Sequence, residues 1–476
     1  MTATTNPATT DPATTDPATA TPAGTATAQW QDLDRRHHVH PFIDPRVVAE
    51  KGTRVIVGAE GRHLIDSDGR RILDGMGGLW CVNLGYGREE LARAAYDQMV
   101  ELPYYNTFFR SAPPATIELS RVLAELTPGA IAHTFFSSSG SEANDTIVRL
   151  VRRYWDLRGK PKKKTFISRT YAYHGSTMAA ASLGGFEAMH AVGDLPLPGF
   201  EHVMPPYWFA MGAPGETPEE TGARAARALE EKIAELGADR VAAFIGEPVI
   251  GAGGVIVPPD NYWPEIQRIC RENDVLIVCD EVITGFGRTG EWFGVQKFGI
   301  EPDLMTIAKG LTSGYLPMSA VLMTDAVFDV LAEGGVIPHG YTYSGHPVAA
   351  AVALENLRLM KEEGVVDRVR EDTGPYFQAR LRELNDHPLV GEVRGVGLVA
   401  SVELSKDKAT RQLFEPMGEV GALCHEHLYD EGVVFRAMRD VVCTSPPLTI
   451  TRDEIDELVT KARAGIDRTA RDLGMM

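Results

Sequence analysis

Three stretches of this sequence each end an apolar run on a residue able to do chemistry. Residues 133–138 (HTFFSS) lead into Ser139, Gly140 and Ser141; residues 275–279 (VLIVC) lead into Asp280; residues 303–308 (DLMTIA) lead into Lys309. A helix that opens on Ser and Gly offers free backbone N–H groups and hydroxyls to a phosphate. A buried lysine with a depressed pKa is a nucleophile toward a carbonyl carbon. A strand-end carboxylate can keep a pyridine-type nitrogen protonated, which makes the ring an electron sink. Taken singly, each stretch also has a plainer reading: a turn with a helix cap, an ordinary strand-end acid, and a solvated lysine before Gly310.

These residues matter together only if the chain brings them to one edge of a sheet. In an open parallel sheet, ligands bind beyond the carboxyl ends of the strands. The middle of the sequence alternates strand-like and helix-like segments. Residues 165–168 (TFIS) and 241–248 (VAAFIGEP) read as strands, as do the two runs before Asp280 and Lys309; the unbroken apolar character of the last three suits strands covered on both faces. Between them, residues 141–155 place Ala143, Ile147, Val151 and Trp155 on one helical face. Earlier, Leu91, Ala95, Met99 and Leu102 repeat at helical spacing. The pattern predicts an α/β fold, a large domain with a mainly parallel sheet. A helix over 348–360 starts a second region, whose last helix opens on Thr451 with Glu454 three residues on, a capping-box spacing. The expected division is a disordered Thr/Ala/Pro-rich tail over 1–29, an N-terminal segment over 30–84 that joins the smaller domain, a large domain over 85–346, and a C-terminal small domain over 347–476.

Composition narrows the classes of function. Hydrophobic residues make up 44% and charged residues 24% of the 476, ordinary for a globular protein. A net charge of -18 disfavours nucleic acid and anionic membrane surfaces as partners. The 5 cysteines are scattered and form no CxxC pair, which points away from a disulfide framework and a zinc cluster and toward a reducing cytoplasm. No apolar run is long enough to cross a bilayer, and the first residues lack the basic start and apolar stretch of a secretion signal. Gly285, Gly287 and Gly290 match GxGxxG without the βαβ context of a dinucleotide site, so they read as a turn. His37, His38 and His40 read as a polar lead-in to the fold; no metal is expected.

The motifs occur in a recognisable order. Ser139-Gly140-Ser141-Glu142-Ala143-Asn144, Tyr173-His174-Gly175-Ser176, Asp280-Glu281-Val282 and Ala308-Lys309-Gly310 resemble those of class III (omega) aminotransferases, fold-type I enzymes that use pyridoxal 5'-phosphate. The resemblance runs from about Pro41 to Leu448. It implies that Lys309 binds the cofactor covalently and later moves a proton, that Asp280 pairs with the ring nitrogen, and that Gly140 and Ser141 hold the phosphate. It further implies that Tyr173 and Val282 cover the two ring faces and that Glu247 sits near the ring, where a structural ion pair is the competing reading. Thr342 resembles a phosphate contact supplied by a second subunit, which implies a homodimer with shared active sites and leaves a tetramer open.

The segments GGLWCVNLGYGR (77–88), YYNTFF (104–109) and MHAVGDLPLPGF (189–200) are similar to those of amine:pyruvate enzymes, including the polyamine branch. On that resemblance Trp80, Phe108 and Tyr173 line the substrate pocket and Arg436 clamps the carboxylate of the keto acid, with Arg439 a competing choice. The expected activity carries an amino group from a primary amine or omega-amino acid, with diamines such as putrescine favoured, to pyruvate. An aminomutase or decarboxylase on the same scaffold, or a non-catalytic cofactor-binding protein, is the alternative.

Overall fold

In the computed structural model, residues 23–476 are described, with side chains from residue 26. The Thr/Ala/Pro-rich stretch up to residue 22 lies outside the described residues, and the chain is helical from Ala23 to His37. Two units separate by their internal contacts. One comprises the chain up to Gly58 together with Leu64–Arg71; the other comprises Ala59–His63 and Ile72–Met476.

The first unit is small. Its second helix, Pro45–Lys51, starts on Asp44, whose carboxylate accepts the Arg46 N–H. Asp34 binds the His38 Nδ1 through one oxygen (2.8 Å) and the His40 Nε2 through the other (2.7 Å). The Thr53 hydroxyl donates to the same carboxylate. These bonds pull Asp34 far below the usual carboxylate range. Short strands β1 (Ile56–Glu60), β2 (His63–Asp66) and β3 (Arg71–Leu73) mark where the units divide.

The second unit is organised, among the described residues, on a seven-stranded sheet. Its strands are β4 (Ile131–Ser137), β5 (Thr165–Arg169), β6 (Phe200–Val203), β7 (Val241–Gly246), β8 (Leu276–Asp280), β9 (Leu304–Ile307) and β10 (Ser319–Thr324). The spatial order is β4-β10-β9-β8-β7-β5-β6. From β9 to β6 all neighbours are parallel, while β10 runs antiparallel to both β9 and β4. The apolar runs sort to two faces with period two, as a strand requires. Leu276, Val278, Leu304 and Val321 join one buried cluster, with Ile147, Val151 and Trp155 of the helix Gly140–Leu157. Ile277, Cys279, Met305, Ile307 and Leu322 join the other, with Leu119, Ile266 and Ala353 from helices on the opposite side. Burial on both faces explains why these strands carry no alternating polar residues.

The C-terminal region forms a four-stranded antiparallel sheet of β11 (Val390–Val396), β12 (Val399–Leu404), β13 (Arg436–Met438) and β14 (Val441–Thr444), in the order β11-β12-β14-β13. The last helix, Arg452–Asp472, opens with the expected reciprocal cap between Thr451 and Glu454. No helix among the described residues is long and apolar enough to cross a membrane.

Candidate active site

β8 and β9 are adjacent and parallel, so their carboxyl ends deliver Asp280 and Lys309 to the same edge of the sheet. Lys309 begins a tight turn, Lys309–Thr312, in the left-handed region at φ 46°. That conformation is costly for a residue with a Cβ and marks a position where the surroundings dictate the backbone. Those surroundings are visible. Asn356 donates to the carbonyls of Gly310 and Leu311 (2.9 and 3.0 Å) and accepts from Ser313. A Cβ on Gly310 would lie 2.5 Å from Asn83 Nδ2, so only glycine lets the turn close. Burial drives the Lys309 ammonium down to about 8, against the opposing charges of Asp280, Cys81 and Glu247.

The Asp280 carboxylate is 3% exposed and accepts three hydrogen bonds, which leaves one oxygen able to take another donor. One oxygen accepts from Asn144 Nδ2 (2.9 Å) and from His174 Nδ1–H (2.8 Å); the other accepts the Val282 N–H (3.1 Å). A carboxylate can only accept, so the proton on His174 belongs on Nδ1. Asn144 also donates to the His174 carbonyl (2.6 Å). Asn144 and His174 lie within the sequence motifs, but the sequence alone gives neither a role. For Asn144 the clue in the sequence is a polar residue among apolar ones on the buried face of an amphipathic helix.

Ser139 caps the helix Gly140–Leu157 by accepting the Glu142 N–H. The N–H groups of Gly140 and Ser141 therefore point from a helix start without intrahelical acceptors. A Cβ on Gly140 would sit 3.4 Å from both methyls of Val282 and 3.9 Å from Ala308 Cβ, so three segments converge where the missing side chain leaves room. The loop 173–176 packs on the same helix start: Ser176 N donates to Ser141 Oγ (3.0 Å), and a Cβ on Gly175 would collide with Ser141. The Ser141 hydroxyl proton is thus left over for another acceptor. Tyr173 Oη lies 3.0 Å from Ser176 Oγ. Glu247 is buried and accepts the backbone N–H of Tyr173 (3.3 Å) and of Gly251 (2.7 Å), with no ion pair among the described residues; burial raises its pKa.

Trp80 is 2% exposed, and its ring lies 5.2 Å from Lys309 Nζ and 5.1 Å from the Arg436 guanidinium carbon. Arg436 has no ion pair among the described residues, and burial lowers its pKa. Arg439, the competing choice, donates to the Gly253 carbonyl (2.8 Å) and lies 4.2 Å over the Tyr171 ring. Of the two guanidiniums, only that of Arg436 is uncommitted.

Phe108 and Thr342 belong elsewhere in the chain. Phe108 lines a cavity of about 300 Å³ with Thr107, Phe136, His339 and Gly340, none of them part of the Lys309 cluster. Thr342 is exposed, and its carbonyl accepts from Tyr104 Oη (2.7 Å); Thr107 Oγ1 donates to the Ser344 carbonyl (3.2 Å). The two residues thus share one surface, on which Phe109, Tyr105 and Tyr343 are exposed at 92%, 51% and 60%.

Residues 47–465 match the family model for aminotransferase class-III. The chain is 55% identical over 444 residues to the putrescine–pyruvate aminotransferase of Pseudomonas aeruginosa, covering 93% of this chain and 97% of that one. It is 44% identical to the diaminobutyrate–2-oxoglutarate transaminase of Halomonas elongata, covering 92% and 95%. Among solved structures, the omega transaminase of Pseudomonas jessenii in complex with PMP superposes with a TM-score of 0.92 at 42% identity, covering 94% of this chain and 99% of that chain.

Proposed function

Because the chain belongs to the class III aminotransferase family, we propose that it carries an amino group from a primary amine, a diamine such as putrescine first among them, to pyruvate. The family's cofactor is pyridoxal 5'-phosphate. The observation that carries the reading is the meeting of a buried lysine, its pKa lowered by burial, and a buried carboxylate at one sheet edge. The residues around them fit the cofactor: a helix start with two unsatisfied N–H groups and a spare hydroxyl for the phosphate, and a glycine that opens space beside Val282 for a flat ring. Bound there, the cofactor supplies an aldehyde that couples to amines and a ring that draws electrons from the substrate carbon.

The chain's own residues do the rest. Lys309 Nζ would hold the cofactor through its aldehyde, and as a buried amine of lowered pKa it would serve as the base for the proton on the donor's amine-bearing carbon. Asp280 would keep a proton on the ring nitrogen, with Asn144 and His174 holding its carboxylate in line. Tyr173 and Val282 would flank the bound ring, and Glu247, which accepts the Tyr173 N–H, would fix the Tyr173 loop. Trp80 provides an apolar wall near Lys309. Arg436 is free to meet the pyruvate carboxylate as a two-pronged donor, and an amine without a carboxylate leaves it on the Trp80 ring. Thr342 and Phe108 are presented on one exposed apolar surface, which supports a homodimer in which each subunit completes the other's site. Five free cysteines and an acidic surface suit the cytoplasm.

A donor panel with pyruvate as acceptor tests the proposal. Alanine should accumulate with diamines and be absent without an amine; no alanine with any primary amine would sink it. Arg436→Ala should raise the pyruvate KM about 30-fold, the loss of a charged hydrogen-bonding pair, and the diamine KM no more than about threefold. Equal rises would show that Arg436 is not the clamp.

A further inference from the structure

Arg436 begins β13, and the hairpin it belongs to turns three residues later. Met438 pairs with Val441, so Arg439 and Asp440 form a two-residue turn. Arg439 sits there at φ 59°, a conformation that Gly, Asn or Asp fills more readily. An arginine at such a position suggests that its side chain is being used, and both side chains of the turn are. The Arg439 guanidinium donates to the Gly253 carbonyl (2.8 Å) and lies 4.2 Å from the Tyr171 ring centre and 5.9 Å from that of Tyr207. Asp440 accepts the N–H groups of Gly418 (2.9 Å) and Gly421 (2.8 Å), at the start of the helix Glu419–Asp430. A Cβ on Gly421 would lie 1.9 Å from the Arg439 carbonyl, so that helix abuts the turn directly.

The carbonyl that Arg439 holds is in the loop descending from Glu247. Gly251 donates to Glu247, and the next carbonyls of the loop are taken by the same C-terminal sheet: Arg394 and Ser401 donate to Gly254, and Arg394 to Val255. The hairpin is therefore bolted on one side to the loop beside the active site and on the other to a helix. The one cation of the hairpin left without a partner among the described residues is Arg436, stacked on Trp80.

We propose that Arg439 is a positioning residue for acceptor recognition: by fixing the turn against Gly253, Tyr171 and Tyr207 it confines movement at this edge to the Arg436 side chain, which alone swings between Trp80 and the substrate carboxylate. The proposal rests on the reading of Arg436 as the carboxylate clamp and adds a residue that touches no substrate. Its consequence is selective. Loosening the turn spreads the Arg436 guanidinium over more orientations, which weakens binding of carboxylates and leaves a carboxylate-free amine untouched.

The test uses the cofactor-loaded enzyme with Arg439→Gln, Arg436→Ala and the double variant. Arg439→Gln should raise the pyruvate KM about tenfold and keep the diamine KM within about twofold. The inhibition constant of propionate, a carboxylate with no carbonyl to react, should rise by the same factor. In the double variant the loss should not exceed that of Arg436→Ala alone, since Arg439 acts only through Arg436. Equal rises in both KM values for Arg439→Gln, or full additivity in the double variant, would overturn the proposal. Equal rises for Arg436→Ala would instead remove the reading beneath it. If Arg439→Gln does not fold, Tyr171→Leu removes the ring under the guanidinium and leaves its hydrogen bond; a pyruvate-specific rise of about threefold is then expected, and no rise counts against the proposal.

Discussion

Lys309→Ala should lower turnover by about 10⁴-fold or more, because one side chain is asked to anchor the cofactor and to move the proton, and the proton transfer alone is worth about 10²–10⁴-fold. The reason lies in its environment. Nζ is buried beside Trp80 and pushed down to about 8. At pH 8 about half of such lysines are neutral, against roughly three in a thousand for an ordinary lysine of pKa 10.5. Borohydride treatment followed by unfolding should leave cofactor mass on the native chain and none on the variant. Wild-type turnover in the variant would end the assignment.

The same environment has a second consequence, readable without catalysis. The folded pKa of Lys309 lies below its unfolded value of 10.5, so the unfolded chain holds more protons between about pH 8 and 10.5. Stability of the cofactor-free protein therefore rises with pH through that window. Below about pH 8 the buried ammonium costs its full amount, about 3 kcal/mol on this shift. Lys309→Met, of similar shape, removes that cost. Its advantage over the native chain should be present at pH 7 and gone above pH 10.5. A stability difference independent of pH would show that the amine is not held in a dry setting.

Much of this site could be read from residue order because strand ends and their reactive residues are contiguous in sequence. An apolar run that stops at Asp280 or Lys309 announces both the strand and the residue it delivers. The buried sheet announced itself for the same reason, since strands covered on both faces cannot alternate. What the sequence hid depends on contacts across long separations. Asn144 and His174 reach Asp280 over 136 and 106 residues, and no local pattern couples them. Arg436 and Arg439 differ by three positions and look alike as text; only the Gly253 carbonyl and the Tyr171 ring distinguish the committed guanidinium from the free one. Local chemistry left the direction of β10 open, since an antiparallel strand buried on both faces has the composition of a parallel one. Phe108 was expected beside the substrate by resemblance, and within one chain it lines a different cavity, shared with the loop that carries Thr342.

Asp280→Asn should lower turnover by about 10³-fold while Lys309 still couples to the cofactor. The carboxylate faces three donors: Asn144 Nδ2, His174 Nδ1–H and the Val282 N–H. An asparagine there keeps the shape and one acceptor oxygen. If that oxygen stays with Asn144 and His174, its NH₂ faces the Val282 N–H; if it flips, its NH₂ faces the other two donors. The first arrangement leaves one donor without a partner and the second leaves two, at a cost of about 1–3 kcal/mol for each. The larger loss is electrical. Asp280 is buried, so its negative charge would act on a protonated ring nitrogen bound beside it with little screening. A neutral amide cannot hold that proton, and the ring then draws electrons from the substrate carbon only weakly. Borohydride should therefore fix cofactor to the Asp280→Asn chain as it does to the native one, while alanine formation collapses. Asp280→Glu, which keeps the charge but overfills the space between Asn144 and His174, should fall between the two. Native turnover in Asp280→Asn would mean that the carboxylate only packs the strand end, and the case for Lys309 would then rest on its burial alone.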